Sequence, residues 1–547
     1  MLIFCSRRRQ VIDLRKTPLS LMQIELPPAG SYKGTGWCHH STTHELRTEM
    51  LTTGLASYGV DYATIFVVAG LAIYFALYRR NNLRDIPGPP SSSWIFGNML
   101  QLMLPPQYGD HEFTWLTEFG PVYLIKGCFG QNRLMVSDPL ALQYILNSPH
   151  FGHGPNLENA INLMFDQNAI MAAKGETHKR LRAALNIGFT SSAVRNYQPI
   201  FERVAEKITE RLDKCSGSLT DLYPILSPAT LSAISEAVLG CSTRDLGEEF
   251  VANNEHVMRI SSSQSSTQII ADAIASRLPK MVWGAAANLP TATFKVLRAV
   301  KSLARQIGRQ AVADKLAAIQ QGANTRTDVF GMLLDPEQSD MKKNVLTEDE
   351  LVAQTGILMI DIQNSNINYA QKSMRHSVVQ PALFSHESMP LLNAFIKAWL
   401  KLSMGLYPPG VLPERIAVQD TVIPLTNGIK TSTGEVMNHI PVQKGQVVHV
   451  AIASYQRLQS RWGEDAHRFR PSRWIDGTVV QGQAVAFSVV HGWRFAILEM
   501  QVFFSELVGT FSFALPGDHC LRTLNANSLI LVAPSGEKAA PLYITRI

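Results

Sequence analysis

The run Glu176-Thr177-His178-Lys179-Arg180-Leu181-Arg182 gathers several polar donors in seven residues. His178 and Arg182 stand four apart, so on a helix they share one face. The planar fork of Arg182 can grip a carboxylate through two parallel hydrogen bonds, and the plainer reading of the run is a solvated basic helix face. Asn364-Ser365 sets an amide beside a hydroxyl. Ser365 can pass a proton, whereas Asn364 cannot donate one and regain it as a carboxylic acid does; the plainer reading is a helix interior facing water. His491 carries an imidazole that can ligate a metal, but a lone histidine after Val489 and Val490 serves structure more often. Cys38-His39-His40 with His44 could be drawn as a metal cluster, yet a polar tail offers no preformed geometry or second shell.

The elements that must position these residues follow from periodicity and punctuation. From about Leu142 to Leu334 helical patterns dominate, with loops at Gly152 to Pro155 and near Gly322 to Thr327. Tyr123 to Asp138 alternates short β-rich runs with turn residues, which predicts a small sheet. Leu346-Thr347-Glu348-Asp349-Glu350 predicts the start of a long helix through Ala370, with Thr347 as N-cap and Glu350 at the capping-box position. Further strands and turns are expected at Pro413-Glu414-Arg415, Val422 to Leu425 and His439 to Gly445. The fold class is therefore mainly α with a small β region.

At the N-terminal side, Tyr62 to Tyr78 is apolar throughout and is followed by Arg79, Arg80 and Arg84. As a helix it reaches roughly 26 Å, just short of the hydrocarbon thickness, so flanking residues are needed for it to span. A buried core helix is the plainer reading; a single-pass anchor is preferred because the arginines then place everything downstream in the cytosol. The three prolines of Asp85-Ile86-Pro87-Gly88-Pro89-Pro90 exclude helix and predict a stiff extended linker. The expected organisation is a polar extension over 1–49, an anchor over 50–84, a proline-rich linker over 85–98 and one large domain over 99–547.

Bulk properties set outer limits. With 46% hydrophobic and 17% charged residues among 547, the chain is globular, and no sequence motif marks it as disordered. A net charge of +6 suits an anionic membrane face or an acidic redox partner, and no dense Lys/Arg tract makes a nucleic-acid surface. The six cysteines, at 5, 38, 128, 215, 241 and 520, are too scattered for a disulfide framework.

Several of these stretches, in order, resemble the cytochrome P-450 family. Anchor, basic residues and Pro-Gly-Pro-Pro look like the N-terminus of its microsomal members. Glu-Thr-His-Lys-Arg-x-Arg resembles the helix that holds a haem propionate, which implies that role for His178 and Arg182; Arg415 resembles another propionate contact. Trp462-Gly463-Glu464-Asp465-Ala466 and Phe469-Arg470-Pro471-Ser472-Arg473-Trp474 repeat the family's meander. Gly492 to Glu499 resembles the start of the helix behind the haem. The resemblance implies a P-450 fold behind a single transmembrane helix, in the endoplasmic reticulum membrane with the catalytic domain cytosolic. It also implies haem as cofactor, insertion of one oxygen atom from dioxygen into a small lipophilic substrate, and electrons from a separate NADPH-dependent cytochrome reductase. No G-x-G-x-x-G follows a strand, so no nicotinamide domain is expected in the chain itself.

The chain departs from the family at three places. The family's Phe-Ser-Gly-Gly-x-Arg-x-Cys-x-Gly loop is shortened to Val489, Val490 and His491 between Phe487-Ser488 and Gly492, and Val490 stands at the position of the iron-binding cysteine. His491 is the substitute ligand the sequence offers. In the long helix Asn364-Ser365 replaces the acid and alcohol that deliver protons, and Ile362 replaces a glycine. The Glu-x-x-Arg pair is absent in either register: Ala398 and Lys401 counted from Lys397, or Leu402 and Gly405 counted back from Tyr407. Arg473, the third member of that lock, must be re-paired or face solvent. Three readings follow: a working monooxygenase, a non-catalytic relic that keeps the scaffold, and a mis-spliced product of a functional gene. The reading adopted is a monooxygenase scaffold that is impaired or inactive as written.

Overall fold

The computed structural model describes residues 83–335 (except 263, 279 and 287), 346–360, part of 396–410, 411–474, 493–516, 522–525, 529–532 and 539–547, together with Val68. The chain divides into two units, Met1–Arg80 and Asn81–Ile547, and the second carries everything below. Among the described residues no helix is long and apolar enough to cross a membrane. Tyr62 to Tyr78 lies outside them, apart from helical Val68.

The second unit is mostly helical with small sheets, as the periodicities predict. The strands are β1 (Val122–Lys126), β2 (Asn132–Val136), β3 (Phe151–His153), β4 (Leu219–Asp221), β5 (Glu414–Ala417), β6 (Thr421–Lys430), β7 (Val436–Val442), β8 (Val447–Val450), β9 (Phe511–Ala514), β10 (Arg522–Asn525), β11 (Leu529–Val532) and β12 (Pro541–Arg546). The main sheet runs β1-β2-β8-β5-β3; β2 and β8 are parallel and the other pairs antiparallel. A second sheet is β4-β12-β9, and β6-β7 and β10-β11 are hairpins. The region 152–155, expected as loop, instead contributes β3, because Phe151 to His153 finds an antiparallel partner in β5 that lies far away in sequence. The proline-rich stretch packs on the sheet: the Leu124 amide donates to the Pro87 carbonyl at 2.9 Å. Any side chain at Gly88 would collide with the Leu124 carbonyl, 1.8 Å from where its Cβ would sit.

The helices used below are α1 (Glu112–Phe119), α2 (Pro139–Asn147), α3 (Pro155–Met164), α4 (Gly175–Leu185), α5 (Gln198–Asp213), α6 (Tyr223–Leu239), α7 (Ala292–Gln320), α8 (348–360) and α9 (Trp493–Thr510). Their starts obey local chemistry. Asp138 caps α2, its carboxylate accepting from the Ala141 amide at 3.0 Å, with Pro139 at the first helical position. The predicted capping box of α8 forms: the Glu350 amide donates to Thr347 Oγ1 at 3.2 Å and the Thr347 amide to Glu350 Oε2 at 3.0 Å.

The large core lies between α5, α6, α8 and α9. Phe495, near the start of α9, is fully buried against Phe201, with ring centroids 5.0 Å apart, edge to face, and beside Tyr197 and Phe189. α6 is apolar on nearly every side and accordingly buried on nearly every side. Where α7 crosses α8, Gly308 permits close approach, since a Cβ there would lie 2.3 Å from Thr355 Oγ1.

Candidate functional site

Three elements bring cationic side chains together at one end of the main sheet. Side chains alternate faces along β5, so Glu414 and Arg415 point opposite ways. Glu414 anchors the strand: Arg133 on β2 donates to it at 2.5 Å, and buried His449 on β8 lies 3.3 Å from the same guanidinium nitrogen. Burial pushes the Glu414 carboxyl up, but Arg133 and His449 outweigh it and hold it below the ordinary carboxylate range.

On the other face, Arg415 stands opposite His153 in the β3-β5 register. Its Nη1 donates to His153 Nδ1 at 2.8 Å. An arginine has no acceptor, so Nδ1 must hold the lone pair and the imidazole must be neutral with its proton on Nε2. Burial and the charges of Arg415, Lys174 and His178 together push the His153 pKa down to about 4; only Glu158 pulls the other way among the groups acting on it. That carboxylate is engaged by Lys174, whose Nζ donates to it at 2.7 Å. Arg415 Nε is buried and has no hydrogen-bond partner. Burial lowers the guanidinium's pKa, but arginine keeps its charge in proteins.

His178 and Arg182 lie on α4, four residues apart as predicted, and the His178 imidazole is held down by burial and by the Arg182 charge. α4 is fixed by Arg180, which forks onto Glu350 of the α8 capping box. The sequence-predicted residues His178, Arg182 and Arg415 thus share one electrostatic neighbourhood. His153 and Lys174, which complete it, were not expected: a three-residue strand between a loop and Pro155 gives no periodic signal, and its only cue is the pairing with β5.

A cationic cluster, half-buried at Arg415, His153 and His178 and exposed at Lys174 and Arg182, with one buried guanidinium N–H that has no partner, suits an anionic group. Haem presents two carboxylates, and these residues fit them. The residue that would ligate the iron is another matter. No cysteine occurs between Cys241 and Cys520. Burial raises the Cys128 thiol, and burial with Asp245 and Asp328 raises that of Cys241 to about 11, so neither is poised as a thiolate. Asn364, Ser365 and His491 lie outside the described residues. No group of acids, histidines and cysteines among the described residues could hold a metal ion.

The region of the missing Glu-x-x-Arg pair is legible in part. Arg473 is buried and re-paired: Nη2 lies 3.2 Å from Asp465 Oδ1 and donates to the Asp465 carbonyl at 2.9 Å, while Nη1 donates to the Trp462 carbonyl at 3.2 Å. With Leu402 and Gly405 it lines one small cavity. These are the residues of the register counted back from Tyr407; Ala398 and Lys401 of the other register lie outside the described residues. Upstream, α8 is tied to the 165–173 loop by Gln354, which accepts from the Ile170 amide at 2.8 Å and donates to the Asn168 carbonyl at 2.9 Å.

The family model described as Cytochrome P450 matches residues 87–361 and 371–539 of the chain. Among curated proteins it is similar to Cytochrome P450 monooxygenase claQ of Ampulloclitocybe clavipes, 24% identical over 86% of this chain and 95% of that protein. Cytochrome P450 monooxygenase 128 of Postia placenta is 25% identical over 84% and 92%. Cytochrome P450 monooxygenase 219 of the same fungus is 26% identical over 79% and 88%.

Proposed function

Because the chain belongs to the cytochrome P450 family, we propose that it keeps the family's cradle for the haem carboxylates but, as written, does not make a haem-thiolate centre and is impaired or inactive as a monooxygenase. The observation that carries this is the half-buried Arg415, its Nη1 on His153 and its buried Nε without a partner, in a chain with no cysteine between Cys241 and Cys520. Haem, when bound, supplies the iron at which dioxygen chemistry takes place in this family. The chain's own part is to hold its carboxylates: Arg182 and Arg415 by charge-assisted hydrogen bonds, His178 from the same helix face as Arg182. A thiolate needs a cysteine on a glycine-permissive loop with amides aimed at the sulfur, and Val489, Val490 and His491 supply neither. Asn364 lacks the acidic proton that its position calls for, and Ser365 keeps only a hydroxyl.

The relatives are named as monooxygenases. We propose a small lipophilic substrate and an NADPH-dependent reductase as the partners of a repaired chain. From the apolar run Tyr62 to Tyr78 and the arginines after it we propose a single-pass anchor with the domain on the cytosolic face of the endoplasmic reticulum; release from membranes in alkaline carbonate refutes the anchor.

The deciding experiment is a carbon monoxide difference spectrum of the purified, reduced chain, beside a variant with Gly-Gly-x-Arg-x-Cys rebuilt before Gly492. A thiolate-type Soret band from the unmodified chain overturns the proposal. An imidazole-type band that vanishes on His491→Ala makes His491 the ligand. Transcript sequence across the Ser488 to Gly492 codons separates a relic from a mis-spliced product.

A further inference from the structure

We propose that His153 is a positioning residue: as a neutral acceptor it fixes the guanidinium of Arg415 so that the remaining donors face an anionic group. This deepens the reading of the cluster as the holder of haem carboxylates and rests on it. The two residues are cross-strand partners on β3 and β5, so the backbone sets their separation before any ligand arrives. Arg415 Nη1 is committed to His153 Nδ1 at 2.8 Å, while its Nε stays buried without a partner. A guanidinium is planar, so holding one nitrogen fixes the directions of the others.

The arrangement works only while Nδ1 is bare. Four groups act on His153: Arg415 from β5, Lys174 and His178 at and within α4, and Glu158 from α3. Three of them disfavour a second proton, and Glu158 is engaged by Lys174. The cluster's own positive charge thus keeps the acceptor available to the residue that will meet the anion. A protonated imidazole would instead repel Arg415 and turn the fork away.

Two replacements separate the acceptor from mere packing. His153→Asn puts Oδ1 two bonds beyond Cβ, where Nδ1 stands; His153→Leu fills comparable space with no acceptor. The measurement is hemin titration of the purified full chain at neutral pH, followed by absorbance. Loss of a hydrogen bond to a charged group predicts about tenfold weaker uptake by His153→Leu, with His153→Asn close to the unmodified chain. His153→Leu added to Arg415→Ala should cost nothing further, because both act through one guanidinium. Unchanged uptake by His153→Leu, or full additivity with Arg415→Ala, overturns the proposal.

A second readout needs no haem. Nitrogen NMR of histidine-labelled protein should show His153 with Nδ1 unprotonated at neutral pH and a signal that moves on Arg415→Lys; a protonated Nδ1 overturns the proposal. If the unmodified chain takes up no hemin, the cradle reading fails by itself and the NMR result decides the role of His153.

Discussion

Glu112 offers a sharp test of the energetics. It opens α1 with its side chain 3% exposed, and its Oε1 accepts from Ser454 Oγ at 2.5 Å while Oε2 has no partner. Burial raises its pKa from 4.5 to about 7, against the lowering effects of the Ser454 hydrogen bond and the Arg457 charge. The folded state therefore holds a proton that the unfolded state has released between pH 4.5 and 7. Stability attributable to this group is full below the unfolded pKa and is lost as pH rises through the folded one. At 1.36 kcal/mol per unit, the shift predicts a loss of about 3 kcal/mol by pH 8. Glu112→Gln keeps an acceptor for Ser454 and cannot ionise. Chemical denaturation followed by tryptophan fluorescence from pH 5 to 8 should show the unmodified chain losing stability relative to the variant, and the variant more stable by that amount at pH 8. Parallel pH profiles would refute the reasoning. So would a variant less stable at pH 8, which would mean that ionised Glu112 is held by Arg457 and that burial is the weaker effect.

Asp138→Ala removes the cap of α2 and the contacts from the Thr426 amide and hydroxyl, each at 3.1 Å; a loss of about 2 kcal/mol of unfolding free energy is expected, read from chemical denaturation. Gly308→Ala should cost about 1–3 kcal/mol by driving α7 from α8, and Thr355→Ala in the same chain should recover most of it. In a preparation that binds haem, Arg182→Ala should weaken haem retention measurably during gel filtration, and unchanged retention would remove Arg182 from the cradle. Asp465→Asn strips Arg473 of its carboxylate and should lower the melting temperature more than the same change at exposed Glu464, because Arg473 is 3% exposed.

Local chemistry was readable from sequence because its signals lie within a few residues of one another. The Thr347-Glu350 capping box, the His178/Arg182 helix face, the strands after Pro413 and the small sheet at 123–138 all have that character, and all form as expected. The missing cysteine and the two candidate registers of the lost Glu-x-x-Arg pair are likewise facts of sequence. That Leu402 and Gly405 line a cavity with Arg473 was not, since that depends on how the residues before Tyr407 pack against the meander; nor was the choice of Asp465 as its partner. His153 shows the same limit most clearly. Its neighbours in sequence predict a loop, and its environment is set by a strand 262 residues away, by α3 and by α4. A side chain's type is fixed by the sequence, whereas its proton affinity and its partner are fixed by the field and burial that only the assembled fold supplies.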